Sequence, residues 1–141
     1  MDTVSILFIC IANTCRSPMA EAIARAMGGG RVEAYSAGLA PTGMVAAESV
    51  ATLDELGYPT DGLRSKGFEE IPLDDVDVIV SLIGDDGLRH LPHASSARLE
   101  SWLIRDPFCE DEDVYLAVAR DLERRIRSLV DKLLDMELPT S

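Results

Sequence analysis

The sequence contains few cysteines, no long apolar run and no excess of positive charge. Its three cysteines are an odd number and cannot form a complete disulfide framework, so the compartment we expect is a reducing cytoplasm. No stretch approaches the roughly 20 apolar residues of a membrane span, and Met1-Asp2 lacks the basic start of a signal peptide. The net charge of −12 argues against nucleic acid and anionic membrane as partners, because phosphate contacts need a basic surface.

Metal-binding and multidomain patterns are also missing. His90 and His93, together with three cysteines, could suggest a zinc site, but no pair has the Cys-x2-Cys spacing that such sites use. We therefore expect no metal and no cofactor. The chain shows no internal repeat, linker or low-complexity tract, and its 141 residues suffice for one substantial core. Residues 1–141 are thus expected to form a single domain.

Strand and helix patterns alternate along the chain. Short apolar runs predict strands at residues 4–9, 31–36, 76–82 and 97–103. Helical periodicity predicts helices at residues 18–27, 44–56 and 113–136, with a short helix or turn at 84–91. This alternation predicts an α/β fold: a three-layer domain with a four-stranded parallel sheet covered by helices on both faces.

A tight polar loop connects the first strand directly to the first helix, with no linker residues. The loop spans residues 10–17, and Pro18 is expected to open the helix with Ser17 as its N-cap. The free N–H groups of a first helical turn, together with the helix dipole, form a cradle for anions. Ligands of parallel sheets bind beyond the carboxyl ends of the strands, where this loop lies.

The loop places a thiol, Cys10, six residues before a guanidinium, Arg16. A thiol attacks as its thiolate, which a helix N-terminus and a nearby arginine favour, and an arginine can hold two phosphoryl oxygens at once. The pattern therefore predicts a nucleophile beneath a bound oxyanion. A buried structural cysteine beside a surface arginine is the alternative. A bare Cys-x5-Arg spacing would favour it, but the preceding strand, the following helix and Ser17 argue against it.

The segment CIANTCRSPMAEA resembles the signature of the low-molecular-weight protein tyrosine phosphatase family, which includes thiol-dependent arsenate reductases and protein arginine phosphatases. The likeness extends over nearly the whole chain. Residues 35–38 resemble the family's second strand and turn, residues 75–82 its central strand, and residues 102–108 the segment with the general acid. The resemblance implies a flavodoxin-like fold and hydrolysis through a phosphocysteine.

Two positions depart from the family pattern. Ala12 replaces the usual glycine two positions after the nucleophile, and its Cβ is tolerable only if the backbone avoids positive φ. Leu63 falls where many relatives carry a histidine that braces the asparagine of the loop. Nearby, residues 64–66 form a basic spot in an acidic chain.

The resemblance implies a role for each residue of the loop. Cys10 attacks phosphorus, and Arg16 binds the equatorial oxygens. Ser17 donates a hydrogen bond to the thiolate, unless it serves only as a helix cap. By its residue type, Asn13 can pin the loop through side-chain bonds and tolerates a left-handed conformation, unless it is an ordinary turn residue. The residues expected to surround the phosphate are Ile11, Ala12, Asn13, Thr14, Cys15 and Ser17.

Asp106 is the expected general acid. It precedes Pro107, which favours an extended backbone and a rigidly presented carboxyl group. By the resemblance, Asp106 protonates the leaving oxygen and then deprotonates the attacking water, and Phe108 walls the pocket. From the residues alone, Asp106 could instead belong to an Asp-Pro turn, and Phe108 could instead be a core aromatic.

The other two cysteines have simpler interpretations. Cys15 could form a reversible disulfide with Cys10 that shelters the nucleophile, or it could be a packing residue. Cys109 is interpreted as incidental. Arsenate reduction needs relay thiols, which the reductases of the family carry just after the central strand. Here residues 83–86 read Ile-Gly-Asp-Asp, so we favour a phosphatase over a reductase. The likeness at residues 36–39 and 80–82 leans towards the reductase branch instead. A non-catalytic anion-binding module is the third alternative.

The expected partner is a phosphorylated protein or a small phosphomonoester, with thioredoxin or glutaredoxin entering only if the protein is a reductase. Phosphotyrosine is the default substrate. Thr14 resembles the loop residue of protein arginine phosphatases, and the acidic residues 110–113 would suit a cationic substrate, so phosphoarginine is an alternative.

Overall fold

A parallel sheet lies at the centre of the computed structural model, which describes residues 3–92 and 95–137. Its strands are ordered β2-β1-β3-β4 and all pair in parallel. They are β1 (Val4–Cys10), β2 (Val32–Gly38), β3 (Val78–Ser81) and β4 (Arg98–Ser101). The helices are α1 (Arg16–Gly28), α2 (Ala47–Leu56), α3 (Asp85–Arg89) and α4 (Glu112–Glu137). The predicted α/β fold with a four-stranded parallel sheet is therefore confirmed.

The central strand β1 contributes side chains to two separate cores. Ile6 and Phe8 point into one core, and Leu7 and Ile9 point into the other. All four are completely buried, because alternate residues of a strand face opposite sides and both sides of this sheet are covered. The apolar run that predicts the strand is thus explained by burial on two faces.

Three long helices cover the first face of the sheet. The core on this side joins residues of α1, α2 and α4 to those of the strands. The apolar face predicted for the last helix is confirmed, and its buried members are Tyr115, Val118, Ala119, Leu122, Ile126, Leu129, Val130 and Leu133. Trp102 reaches this core from the end of β4, where its ring lies 6.4 Å from that of Phe8.

The second face has a thinner cover. The short helix α3 and two single 3-10 turns, Phe68–Glu70 and Leu73–Asp75, lie over it. Ile71 and Leu73 pack there against the side chains of β1 and β3.

The beginnings of two helices differ from the prediction. Helix α1 begins at Arg16, with Cys15 at the cap position and no side chain capping the first turn, so the N-cap prediction for Ser17 is wrong. The hydroxyl of Ser17 bonds to side chains of the loop instead. Helix α2 begins at Ala47 rather than at residue 44, because residues 39–46 bond through their backbone to the loop.

None of the helices in the described ranges is both long enough and apolar enough to cross a membrane. The longest, α4, presents charged residues on the side that faces away from the core.

Leu122→Ala tests how much the buried face of α4 contributes to the stability of the fold. Leu122 is fully buried, so its truncation removes apolar contacts and leaves a cavity. We expect the free energy of unfolding to fall by about 2–5 kcal/mol in urea denaturation. Ser128→Ala, an exposed change on the same helix, should alter it by less than about 0.5 kcal/mol. Equal effects of the two changes would contradict this assignment of the core.

Candidate active site

The loop between β1 and α1 forms one wall of a cleft at the carboxyl end of the sheet. Cys10 is the last residue of β1 and pairs in register with Gly38, the last residue of β2. The cleft has a volume of about 580 Å³. Its lining comes from the loop, from residues 42–48 and from Asp106 and Phe108. The structure therefore brings together the predicted nucleophile, arginine, acid and wall residue, although they are almost 100 positions apart in the chain.

A chain of hydrogen bonds ends on the Cys10 sulfur. The amide nitrogen of Asn13 donates to the hydroxyl oxygen of Ser17 over 2.6 Å, and that oxygen lies 2.8 Å from the Cys10 sulfur. Because Ser17 accepts the proton of Asn13, its own hydroxyl proton is free for the sulfur. A thiolate can only accept, so this arrangement suits the charged form of Cys10.

Asn13 has a left-handed backbone, with φ of 52°, which an asparagine tolerates. Its side-chain oxygen accepts the backbone N–H of Lys66 over 2.8 Å. The backbone of Ala12 avoids positive φ, so alanine is tolerated where the family usually has glycine. Leu63 packs against the core, and the brace on Asn13 comes from the backbone of Lys66 instead.

Arg16 is held from the opposite side of the cleft. One guanidinium nitrogen donates to the carbonyl of Ile104 over 3.2 Å, and the other lies 3.6 Å from a carboxylate oxygen of Asp106. Arg16 is only 8% exposed, and it lines the cleft. The positive group that the sequence requires in an acidic chain is thus a single, tethered guanidinium beside Cys10.

The two oxygens of the Asp106 carboxyl group have different partners, one in a turn and one in the cleft. Its Oδ1 accepts the N–H of Phe108 over 3.0 Å, and its Oδ2 faces Arg16. The side chain is 54% exposed, so a ligand could reach it. Phe108 is 58% exposed on the cleft wall, which contradicts the alternative of a core aromatic.

Cys15 lines the cleft and also belongs to the core on the first face of the sheet. It is 3% exposed, and its sulfur lies 3.4 Å from the Tyr115 hydroxyl of α4. Burial raises the pKa of the Cys15 thiol, while hydrogen bonds to Tyr115 and Ser49 lower it in part. Burial also raises the pKa of Tyr115. Both groups are therefore protonated at neutral pH. A disulfide with Cys10 stays a prediction, since all three cysteines are free here.

Several residues that support the loop were missed by the sequence analysis. The Ser65 hydroxyl donates to the carbonyl of Ala12 over 3.0 Å and accepts the N–H of Gly43 over 3.1 Å. The hydroxyls of Thr14 and Thr42 lie 2.8 Å apart. The basic spot at 64–66 is no free surface charge, because Arg64 pairs with Glu70 and Lys66 with Glu21. Local patterns hold no signal for these long-range contacts.

The acidic residues 110–113 do not line the cleft. Glu110 pairs with Arg105 over 2.9 Å, and Asp111 accepts the N–H of Val114 at the start of α4. The acidic residue that does line the cleft, besides Asp106, is Glu48 at the start of α2.

Within residues 3–92 and 95–137, no three histidine, cysteine or acidic side chains are grouped so as to hold a metal ion. His90 bonds through its Nδ1 to the carbonyl of Asp86 over 2.7 Å. His93 lies outside the described residues.

The family described as low molecular weight phosphotyrosine protein phosphatase matches residues 5–138. The match covers nearly the whole chain, and the geometry around Cys10 agrees with the strand–loop–helix motif that the sequence predicts. The protein belongs to this family.

Its relatives carry two kinds of names. A glutaredoxin arsenate reductase of Synechocystis is 31% identical over 129 residues, which cover 91% of this chain and 97% of that protein. A solved arsenate reductase in the reduced state has a TM-score of 0.80 at 30% identity, covering 93% of this chain and 99% of the other. A low molecular weight protein tyrosine phosphatase from T. tengcongensis has a TM-score of 0.78, also at 30% identity, with coverage of 92% and 99%.

Gly38→Ala tests how closely the loop packs against β2. An added Cβ would lie 2.7 Å from the Ile11 carbonyl oxygen and 2.8 Å from the Asn13 nitrogen, so the loop would have to shift. We expect binding of inorganic phosphate, measured by calorimetry, to weaken at least about tenfold, because a misplacement of about 1 Å can cost that much or more.

Gly29→Ala is the matched control for this change. Gly29 has φ of 55° at the end of α1, with no atom within 4 Å of an added Cβ. It should lower stability by about 1 kcal/mol through backbone strain and leave phosphate binding unchanged. Wild-type phosphate binding by Gly38→Ala would show that the close packing is not needed.

Proposed function

We propose that the protein hydrolyses phosphomonoesters of protein side chains through a phosphocysteine intermediate. The observation that carries the proposal is the position of Asp106. Its carboxyl group faces the same cleft as Cys10 and Arg16, where it can protonate an ester oxygen.

The first step forms a phosphorus–sulfur bond and breaks the phosphorus–oxygen bond of the ester. The Cys10 thiolate attacks in line, and Arg16 binds the equatorial oxygens, which carry the developing charge. The bound phosphoryl group replaces Asp106 on the guanidinium, so the carboxyl group is free to protonate the leaving oxygen.

The second step returns the enzyme to its starting state. Asp106, now a carboxylate, takes a proton from water as the water oxygen attacks phosphorus. The phosphorus–sulfur bond breaks and the Cys10 thiolate leaves. Ser17, 2.8 Å from the sulfur, stabilises the charge that returns to it. Inorganic phosphate is the product.

Phosphotyrosine is the substrate that the cleft suits best. Ile11, Met44 and Phe108 are large apolar residues that line the cleft and are more than half exposed. They offer a surface for a flat aromatic leaving group. Thr14 and Glu48 are the features that support phosphoarginine instead, since Glu48 brings a negative charge to the cleft that a guanidinium could meet.

An arsenate reductase is the second candidate, and the extended similarity to proteins with that name favours it. In that case thioredoxin or glutaredoxin would be the reducing partner. The thiols argue against it, because residues 82–92 contain no cysteine, Cys15 is buried against Tyr115, and only Cys109 is exposed.

The setting that we propose is the reducing cytoplasm, with residues 1–141 acting as one domain. The reaction depends on a free thiolate, so an oxidising compartment would inactivate the enzyme.

A turnover panel separates the two activities. We expect hydrolysis of a phosphotyrosine peptide, and no sustained arsenate consumption with either glutaredoxin or thioredoxin as reductant. Cys10→Ser should lose turnover yet still bind phosphate, whereas Cys109→Ser should keep full activity. Arsenate turnover that is lost in Cys109→Ser would instead establish the reductase. Phosphoarginine, as a third substrate, decides the substrate class.

Asp106→Asn tests the general acid. The change keeps the size of the side chain and removes its proton, so esters with basic leaving groups should suffer most. We expect kcat/KM for phenyl phosphates to fall by about 10²–10⁴-fold, with a much smaller loss for nitrophenyl phosphates. The measurement is a plot of kcat/KM against leaving-group pKa for both proteins. Parallel plots would show that Asp106 is not the acid.

A further inference from the structure

A buried ion pair lies behind the loop, on the side away from the cleft. Glu21 of α1 and Lys66 have side chains that are only 5% and 10% exposed, and the Lys66 ammonium lies 3.5 Å from a Glu21 carboxylate oxygen. The ammonium also donates to the carbonyl of Arg64 over 3.0 Å. Burying two charges is unfavourable unless both are well paired, so removal of either partner disturbs the other.

Glu21 ties three parts of the fold together. The same carboxylate oxygen that faces Lys66 accepts the hydroxyl of Ser36 in β2 over 2.6 Å. The other oxygen bonds to Arg25, one turn along α1, over 2.6 Å. The carboxylate therefore has a partner on α1, on β2 and on the segment at residues 64–66.

The backbone of Lys66 carries this constraint to the loop. Its carbonyl accepts the N–H of Gly38 over 2.9 Å, and its own N–H donates to the side-chain oxygen of Asn13 over 2.8 Å. Fixing the Asn13 oxygen also fixes which way the other half of its amide points, and that half donates to Ser17. Ser17 in turn bonds to Cys10.

We propose that Lys66 and Glu21 are positioning residues for the nucleophile. Their ion pair holds the Lys66 N–H on Asn13, which orients the amide so that Ser17 directs its proton to the Cys10 sulfur. The pair thus stabilises the thiolate from a distance, without touching substrate. The proposal rests on the nucleophilic role of Cys10. The positioning role does not depend on which substrate the enzyme uses.

Alkylation of Cys10 by iodoacetamide measures this effect without any substrate. The rate is followed by mass spectrometry from pH 5 to pH 9 in a Cys109→Ser background, which removes the exposed thiol. Lys66→Met keeps the length of the side chain and removes its charge. Weakening one hydrogen bond to a charged group is worth about tenfold, so we expect a five- to tenfold lower rate at pH 6. The rate at pH 9 should stay within twofold.

Three further variants define what that result means. Glu21→Gln keeps size and hydrogen-bonding atoms and should shift the profile in the same direction. Lys66→Arg keeps the charge and should restore most of the rate at pH 6. Arg64 lies two residues before Lys66 and forms an exposed ion pair with Glu70. Arg64→Met removes that ion pair and should leave the pH profile of alkylation unchanged.

The charged groups near Cys10 are Arg16, Asp106 and Glu48, which line the cleft and are retained in every variant. A shift of the profile therefore reports on the network behind the loop. If Lys66→Met and Glu21→Gln lower the melting temperature but alkylate with the wild-type profile, the pair is only structural and the proposal is wrong. Should Lys66→Met not fold, Glu21→Gln decides alone.

Failure of the proposed hydrolase activity would be distinguishable from failure of this proposal. An enzyme that cleaves no phosphate ester, yet shows the expected shifts in alkylation, would retain the positioning role and lose the proposed reaction. If the enzyme does hydrolyse esters, Lys66→Met should lower kcat at least about threefold while phosphate binding changes less than about twofold. Such a split is expected when only the reactivity of the nucleophile has changed.

Discussion

The left-handed backbone of Asn13 is the constraint on which the rest of the site depends. Between Cys10 and Arg16 the chain must turn from a buried strand into a helix, and the turn requires a residue at φ of 52°. An asparagine tolerates this conformation and has an amide with two ends to bond. One end is held by Lys66 and the other holds Ser17. The shape of the loop and the hydrogen bonds that lead to the Cys10 sulfur therefore depend on the same residue.

Much of this arrangement can be predicted from short stretches of sequence. The apolar run of β1, the polar loop and the periodicity of α4 are local signals, and the structure agrees with each of them. Ser17 shows the limit of such signals. Its position suggests a helix cap, but its hydroxyl bonds to the sulfur and amide of the loop, and α1 begins at Arg16, two residues before the predicted start at Pro18. Contacts within the loop, rather than the start of the helix, therefore determine what the Ser17 hydroxyl bonds to.

Contacts between distant segments could not be predicted from local patterns. The helical pattern extends to residue 44, yet residues 39–46 follow the loop, because backbone bonds from Leu39, Ala40, Thr42 and Ala46 outweigh a weak helical preference. Lys66 looks like a surface lysine until β2 and α1 are placed beside it. Gly38 has no unusual φ, and only the proximity of the loop explains why a side chain would not fit there.

Cys10 and Asp106 belong to separate pieces of backbone. Cys10 ends the central strand, whereas Asp106 follows the edge strand β4 on a segment anchored by the bond from the Ile104 N–H to Leu82 and by Arg16. The hydrogen bonds that lead to the thiol come from Ser17, Asn13 and Lys66, which lie outside that segment. Arg16 links the two pieces, so a shift of the segment would move the guanidinium and the Asp106 carboxyl group while the sulfur keeps its hydrogen bond. A change at the edge of the sheet can therefore alter where the acid stands without a change at the central strand.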